Sequence, residues 1–364
     1  MSRETYRMPD LLLFVAALLL VSLGLVMVYS ASSVMALAET GDPLYYLKRQ
    51  MMGMTLGTIA MLVVMQIDYR IYQRVAILGL AAAYGLLIAV LVVGTEISGS
   101  RRWIDLGVFN LQPSELSKLA LVNFIAAFAA SRPQAMKNFW KGLVPPLLVT
   151  GVFFALVLLE PDFGTGVSMV GTAMVMLFAC GAKVSHLVIL ALMAIPLLGV
   201  LIWLEPYRME RILSFLDPWA DPMNTGWNII QSLLAIGSGG LFGLGLGSSR
   251  QKFFYLPEQH TDFIFAIIGE ELGFLGSLAV LSLFFLFAWR GFRIAMRASD
   301  LFGCFLAVGI TSMIIVQAAL NIGVVSGVLP VTGVTLPFIS FGSSSLVVSL
   351  AGVGVLLNIS KRIR

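Results

Sequence analysis

The sequence predicts an all-α polytopic membrane protein, and three observations carry that prediction. The chain is 59% hydrophobic and only 12% charged over its 364 residues, whereas a soluble domain is about half apolar and a quarter charged. Its mean hydropathy of +0.95 is more apolar surface than a soluble core can use. Stretches of the roughly 20 apolar residues that a membrane-crossing helix needs also recur along the whole length. Length is no guide to domain number in such a chain, so residues 1–364 read as a single integral membrane domain.

Ten such runs lie near 11–35, 51–67, 75–94, 115–131, 143–159, 164–181, 185–204, 263–289, 302–323 and 343–358. The first is too long for the core of a signal peptide, and further spans follow it. Ten crossings put both termini on one side, and the loop charges say which. With the N-terminus inside, the inner segments hold Arg3, Arg7, Arg70, Arg74, Arg132, Lys137, Lys141, Lys183, Arg290, Arg293, Arg297, Lys361, Arg362 and Arg364. That is more than half of the 23 basic residues, against only Glu4, Asp10, Asp68 and Asp300 of the 19 acids. Both termini are therefore expected to be cytoplasmic. The net charge of +4 reflects this topology. With no basic stripe interleaved with aromatics, nucleic acid is not an expected partner.

The outer loops carry the polar chemistry. In "GTEISGSRRWIDLGVFNLQPSELSK", Trp103 suits interfacial anchoring, but paired Arg101 and Arg102 run against the usual outer-face bias. Pro113 and Ser114 then open a helix whose Glu115 and Lys118, three residues apart, share a face and can pair. "LEPDFGTG" sets Glu160 and Asp162 at a tight turn, which calls for Pro and Gly but not for two acids.

The long connection from Glu205 to about Thr261, between the seventh and eighth spans, is expected to be extracytoplasmic, and a loop this long is normally functional. Within it "MERILSFL" reads as a short amphipathic helix at the membrane interface. "GWNIIQSLLAIGSGG" reads as a second helix or half-helix ended by Gly239 and Gly240. The glycines of "GSGGLFGLGLGSS" follow no strand and fall short of a nucleotide fingerprint, although Arg250 and Lys252 directly after them suit an anionic ligand.

The eighth span begins in "FFYLPEQHTDFIFAIIGEELGF", which carries three carboxylates toward hydrocarbon. Asp262 stands at the helix mouth. Ala266, Gly269 and Gly273 follow it at +4, +7 and +11 as a stripe of small residues, which permits close helix packing. Glu270 lies about 12 Å deeper, and internal pairing with a hydroxyl, amide or base is expected for both Glu270 and Glu271. Intramembrane ionisable groups default to function, and Asp262 is the one beside outer water.

The last outer loop, "VLPVTGVTLPFISFGSSSLV", is broken by Pro330 and Pro337 and carries Thr332, Ser340, Ser343, Ser344 and Ser345. Non-helical backbone at membrane depth is tolerated only inside protein or beside a water-filled cavity. Cys180 and Cys304 sit in separate apolar segments as small core residues. With His186 and His260 they are too few for a metal cluster. No GxSxG, HExxH or Walker motif is present, so acyl transfer, zinc hydrolysis and ATP-driven chemistry lack support.

Taken in order, "MVYSAS", "RRWIDLG", "QPSELSKLA", "EPDFGTG", "YLPEQHTDFIFAIIGEELG" and "GVLPVTGVTLPFISFGSSSL" resemble the signatures of the SEDS family (FtsW/RodA/SpoVE). "YYLKRQ" and "RQKFFYLPEQHTDFIFAIIGEELG" look closer to its division and sporulation branch. The resemblance implies a peptidoglycan glycosyltransferase that polymerises lipid II on the outer face of the bacterial cytoplasmic membrane. It implies a class B penicillin-binding protein, a transpeptidase, as partner, in the setting of divisome or sporulation proteins. It also implies Asp262 as the essential residue, with Glu115, Lys118, Asp162 and the hydroxyls of the last motif around the same cavity.

The chemistry is consistent with that inventory. Lipid II is an α-linked diphosphate and glycan strands are β-1,4 linked, so the anomeric carbon must invert under attack by a sugar hydroxyl. Such a hydroxyl is a weak nucleophile that a carboxylate base helps, while diphosphate is a good leaving group that needs positive charge. Asp262 is the expected base. Arg101, Arg102, Lys118, Arg250 and Lys252 are candidates for holding diphosphate. A divalent cation, Mg²⁺ or Mn²⁺, suits the oxygen ligands of Glu115 and Asp162. The alternatives are a lipid II flippase, because broken helices with mid-membrane polar groups also serve transport, and an inactive scaffold. Short basic inner loops and acids gathered outside favour the enzyme.

Overall fold

The computed structural model describes residues 8–97, 100–105, 107, 110–253 and 255–362, without the side chains of 96–97 and 197–198. Arg3, Glu4, Arg7 and Arg364 lie outside the described residues. In chain order the helices are α1 (Leu11–Thr40), α2 (Tyr45–Val64), α3 (Arg70–Arg74), α4 (Ala76–Val93) and α5 (Pro113–Ser131). There follow α6 (Val144–Leu159), α7 (Phe163–Ala179), α8 (Val184–Trp203), α9 (Pro206–Leu216), α10 (Trp227–Ser238), α11 (Ile264–Arg297), α12 (Leu301–Val325) and α13 (Ser343–Ser360). Every apolar run read from the sequence is helical.

Among the described residues, seven helices are long and apolar enough to cross a membrane: α1, α4, α6 with the turn before it, α8, α11, α12 and α13. The other three predicted spans fall short for identifiable reasons. Helix α2 carries Lys48, Arg49 and Gln50 in its first turns, α5 carries Glu115 and Lys118, and α7 has only 17 residues. Helices α12 and α13 are the most enclosed. Helix α13 packs on α2, while α12 packs on α5, α7 and α11. Cys180 and Cys304 are unbridged, Cys180 being fully within the core.

One end of the bundle is tied by ion pairs. The Asp10 N–H donates to Ser360 Oγ at 3.0 Å, Arg290 pairs with the Asp10 carboxylate, and Arg362 pairs with Asp68. The start of α1 and the end of α13 therefore lie together.

Two features depart from the sequence reading. The first is a small antiparallel sheet where an all-α chain was expected, with β1 (Thr95–Ile97), β2 (Ser100–Asp105) and β3 (Asn110–Leu111) in that order. Thr95, Ile97, Trp103 and Ile104 supply the β-branched and aromatic residues that favour strands. The Thr95 hydroxyl donates to the Trp103 carbonyl at 3.1 Å.

The second is at α11, which leaves helical backbone at Gly273 (φ 67°, ψ −163°). The groups freed there bond to the glycine turn after α10. The Phe274 N–H donates to Gly240 O at 2.8 Å, and the Leu244 and Gly245 N–H groups donate to the carbonyls of Glu270 and Glu271 at 2.9 and 3.0 Å. Gly239 sits so close that an added Cβ would fall 1.9 Å from the Gly269 carbonyl oxygen. Residues 227–252 thus form a hairpin laid along α11. The small-residue stripe ends at Gly269, which faces Ile236 of that hairpin; Gly273 is the break and not a third member.

The hairpin explains two of the three carboxylates. Glu270 accepts from the Arg250 N–H at 2.9 Å, from the Gln251 N–H at 3.4 Å and from Ser249 Oγ. Glu271 accepts from Ser30 Oγ at 2.7 and 2.8 Å and from the Ser249 N–H at 3.2 Å, and pairs with Lys252 Nζ at 3.4 Å. Irregular backbone away from water must have its polar groups satisfied internally. The two glutamates supply the acceptors.

Candidate active site

At the end of the bundle away from Asp10 and Ser360, several elements enclose a polar cavity of about 460 Å³. Strand β2 contributes Ser100, Arg102 and Trp103, the start of α5 contributes Glu115, and the turn before α7 contributes Pro161 and Asp162. Helix α9 contributes Arg211. The segment before α11 brings Glu258, Thr261 and Asp262, the broken segment before α13 brings Thr332 to Thr335, Phe341 and Gly342, and the first turn of α13 brings Ser343 to Ser345.

Asp262 is held by its backbone. Asn321 Nδ2 donates to the carbonyls of Asp262 and Val334, both at 2.7 Å, and so ties the α11 mouth to the broken segment. Among the described residues the Asp262 carboxylate accepts no hydrogen bond. Its Oδ2 lies 3.5 Å from where a Cβ on Gly333 would stand, and Gly333 has φ 71°, a conformation glycine adopts without penalty. Burial, reinforced by Glu258 and Asp162 and opposed by Arg102 and Arg211, pushes the Asp262 carboxyl up to about 7.

The neighbouring groups are more tightly engaged. Glu115 pairs with Lys118 at 2.9 Å, and Lys118 also donates to Gln317, whose amide holds the Thr335 carbonyl at 3.0 Å. The i,i+3 pair is thus buried and intact, with Glu115 and Gln317 lining the cavity and Lys118 behind them. Asp162 caps α7 by accepting from the Thr165 N–H at 3.1 Å and accepts from Gln112 Nε2 at 3.3 Å. Arg102 donates to the carbonyls of Glu160 and Pro161. The Glu160 carboxylate beneath it is fully buried without a hydrogen-bond partner. Burial, with Asp162 adding, pushes its pKa up to about 8, against the pull of Arg102.

Of the residues singled out in the sequence, Asp262, Arg102, Trp103, Glu115, Asp162, Thr332, Ser343 and Ser344 share this cavity, while Arg101, Lys118, Arg250, Lys252 and Ser340 do not line it. Arg101 is exposed on β2. Lys252 belongs to the hairpin, turned to Glu271 and the Gly247 carbonyl, and Arg250 gives its N–H to Glu270. Ser340 donates to the Thr261 carbonyl and accepts from the Leu336 N–H at 2.8 Å, a local staple.

Arg49, Arg211, Gln112, Glu258 and Gln317 also line the cavity and were not singled out as site residues. Arg211 lies within "MERILSFL", where amphipathicity drew attention to the membrane face rather than to one arginine. Arg49 lies within "YYLKRQ".

Among the described residues no group of three or more His, Cys, Asp and Glu side chains could hold a metal. Glu115 and Asp162 line the same cavity, the first paired with Lys118 and the second accepting from Gln112 and the Thr165 N–H.

The comparisons with known proteins agree with this architecture. A family model described as "Cell cycle protein" (FtsW/RodA/SpoVE) matches residues 10–364. Stage V sporulation protein E of Bacillus subtilis (strain 168) is 50% identical over 355 residues, covering 97% of each chain. A probable peptidoglycan glycosyltransferase FtsW of Geobacter sp. (strain M18) is 46% identical, covering 98% of this chain and 97% of its own. Among solved structures, a chain from work on "structural coordination of polymerization and crosslinking by a peptidoglycan synthase complex" superposes with a TM-score of 0.81 at 32% identity, covering 97% of both chains. The rod shape determining protein RodA of Thermus thermophilus follows at 0.73 and 31%, covering 98% of both chains. Matched from Asp10 to the last residue, and half identical to a sporulation relative, the chain belongs to the FtsW/RodA/SpoVE family of cell cycle proteins.

Proposed function

We propose that the protein is a peptidoglycan glycosyltransferase that polymerises lipid II into β-1,4-linked strands on the outer face of the bacterial cytoplasmic membrane. The observation that carries this reading is Asp262, a carboxylate free of hydrogen bonds among the described residues that lines a polar cavity with Arg102 and Arg211 and has its pKa near 7. In this reading α1, α2, α4 to α8 and α11 to α13 make ten crossings, both termini are cytoplasmic, and the 205–261 connection is extracytoplasmic with its hairpin dipping along α11. The basic residues at the Asp10 end support that orientation.

The chemistry follows from the groups in the cavity. Asp262 takes the proton from the acceptor 4-hydroxyl as the oxygen attacks the donor's anomeric carbon, the bond to diphosphate breaks on the opposite face, and the configuration inverts. A base works best with a pKa near the working pH, which burial gives Asp262. Arg102 and Arg211 offset the charge growing on the leaving diphosphate. A Mg²⁺ or Mn²⁺ entering with the substrate would neutralise the same charge, with Glu115 and Asp162 as its protein ligands. Trp103, Thr332, Ser343 and Ser344 offer stacking and hydroxyl contacts to sugar.

A class B penicillin-binding protein as partner is supported by the relative that is described as coordinating polymerization with crosslinking. Divisome or sporulation proteins and membrane lipids complete its setting. Proteoliposomes with labelled lipid II confined to one leaflet separate polymerase from flippase. Strands made only from lipid facing the Asp262 end are expected; lipid transfer between leaflets without strands would support the flippase instead.

A further inference from the structure

The glycosyltransferase reading sets a requirement that Arg102 and Arg211 do not meet. Both substrates are lipid diphosphates. The donor's diphosphate is attached to the reacting carbon and must sit in the same cavity, across that carbon from Asp262. The acceptor attacks through a hydroxyl at the far end of its disaccharide, so its own diphosphate lies a disaccharide away and needs a separate anion site.

The first turn of α13 has the makings of one. Its 18 residues begin at Ser343 after Gly342, which offers no side chain to cap it. The first N–H groups of a helix lack intrahelical partners, and this end carries partial positive charge. Ser343, Ser344 and Ser345 all line the cavity. Two of their hydroxyls are engaged: Ser343 Oγ donates to the Arg49 carbonyl at 3.3 Å, and Ser344 Oγ donates to Asn110 O and accepts from the Gln112 N–H. The third is not. Ser345 is only 9% exposed and its Oγ has no hydrogen-bond partner, although buried hydroxyls are ordinarily satisfied. Arg49 lines the same wall, stacks over Tyr45 at 4.7 Å and makes no ion pair among the described residues.

We propose that the α13 N-terminus, Ser345 Oγ and Arg49 form a second anion site that binds the diphosphate of the acceptor lipid. Oriented N–H groups at a helix start form a ready anion cradle, the orphan hydroxyl adds a donor, and the unpaired guanidinium matches phosphate in bidentate geometry. The site rests on the glycosyltransferase reading for the identity of its ligand but not for its affinity for phosphate.

The test uses full-length protein in nanodiscs and a polyprenyl diphosphate, with the uncharged polyprenol as control. The wild type is expected to bind two diphosphates per protein and the Arg49→Gln/Ser345→Ala double variant one, the retained molecule also showing that the variant is folded. Arg49→Gln alone should raise the KM for lipid II about tenfold, the scale of one charged hydrogen bond, with Arg49→Lys recovering part of the loss. A single diphosphate on the wild type, two on the double variant, or equal binding of polyprenol would overturn the site. Two diphosphates on a wild type that makes no strands would leave the site standing and sink the glycosyltransferase reading.

Discussion

Asp262, partly exposed, and Glu160, fully buried, both feel the charge of Arg102, with opposite prospects. Asp262 opens into the cavity, and its pKa near 7 sets a pH limb on activity. A base functions only when unprotonated, so turnover should fall about tenfold per pH unit below about 7 and level off above it. A rate that stays flat from pH 5 to 8 would remove Asp262 from that role. Glu160 faces no opening, and burial keeps it protonated up to about 8. A carboxyl raised above its unfolded value of 4.5 binds a proton more tightly when folded. Its contribution is therefore fully present below pH 4.5 and lost as pH rises through 8. Thermal unfolding in detergent should show stability declining between those limits in the wild type and a flatter profile in Glu160→Gln. A third residue, Gly333, lies beside the Asp262 carboxylate in a left-handed conformation. Gly333→Ala, strained at φ 71° beside the Asp262 carboxylate, should cut strand synthesis at least tenfold.

The element that decides the architecture around Asp262 is the 227–252 hairpin. It is held by the helix break at Gly273 and by Glu270 and Glu271, so these should be the sensitive points. Gly273→Ala meets both a left-handed φ and a Cβ 2.3 Å from the Gly243 nitrogen. Glu271→Ala strands Lys252 in a buried position, a loss on the order of 3–5 kcal/mol. Both variants should unfold at clearly lower temperature in detergent, whereas Arg250→Ala, which keeps its backbone bond to Glu270, should not.

The sequence already indicated a half-helix ended by glycines and carboxylates satisfied internally, because capping signals and burial costs are local. It did not indicate that the half-helix lies along α11, because that pairing joins residues more than twenty positions apart through backbone groups any residue possesses. The same limit hid Arg49 and Arg211. Their role comes from the wall they share with Asp262, and neither helix marks it by periodicity.

At the scale of the whole molecule, the legible part was the segregation of charge. Basic residues collect at the end where Asp10 meets Ser360, and acids collect around the cavity at the other. That polarity follows from composition and loop sign, so it survives without any knowledge of packing. The small β1–β3 sheet did not, because a three-stranded patch of a few residues each leaves little period to read. The central claim is that this outer cavity makes glycan strands with Asp262 as its base. It is tested most directly by incubating purified protein, with its transpeptidase partner, with labelled lipid II and resolving product length on a gel. Long strands from the wild type and none from folded Asp262→Ala are predicted. Strands of equal length and yield from both would contradict it.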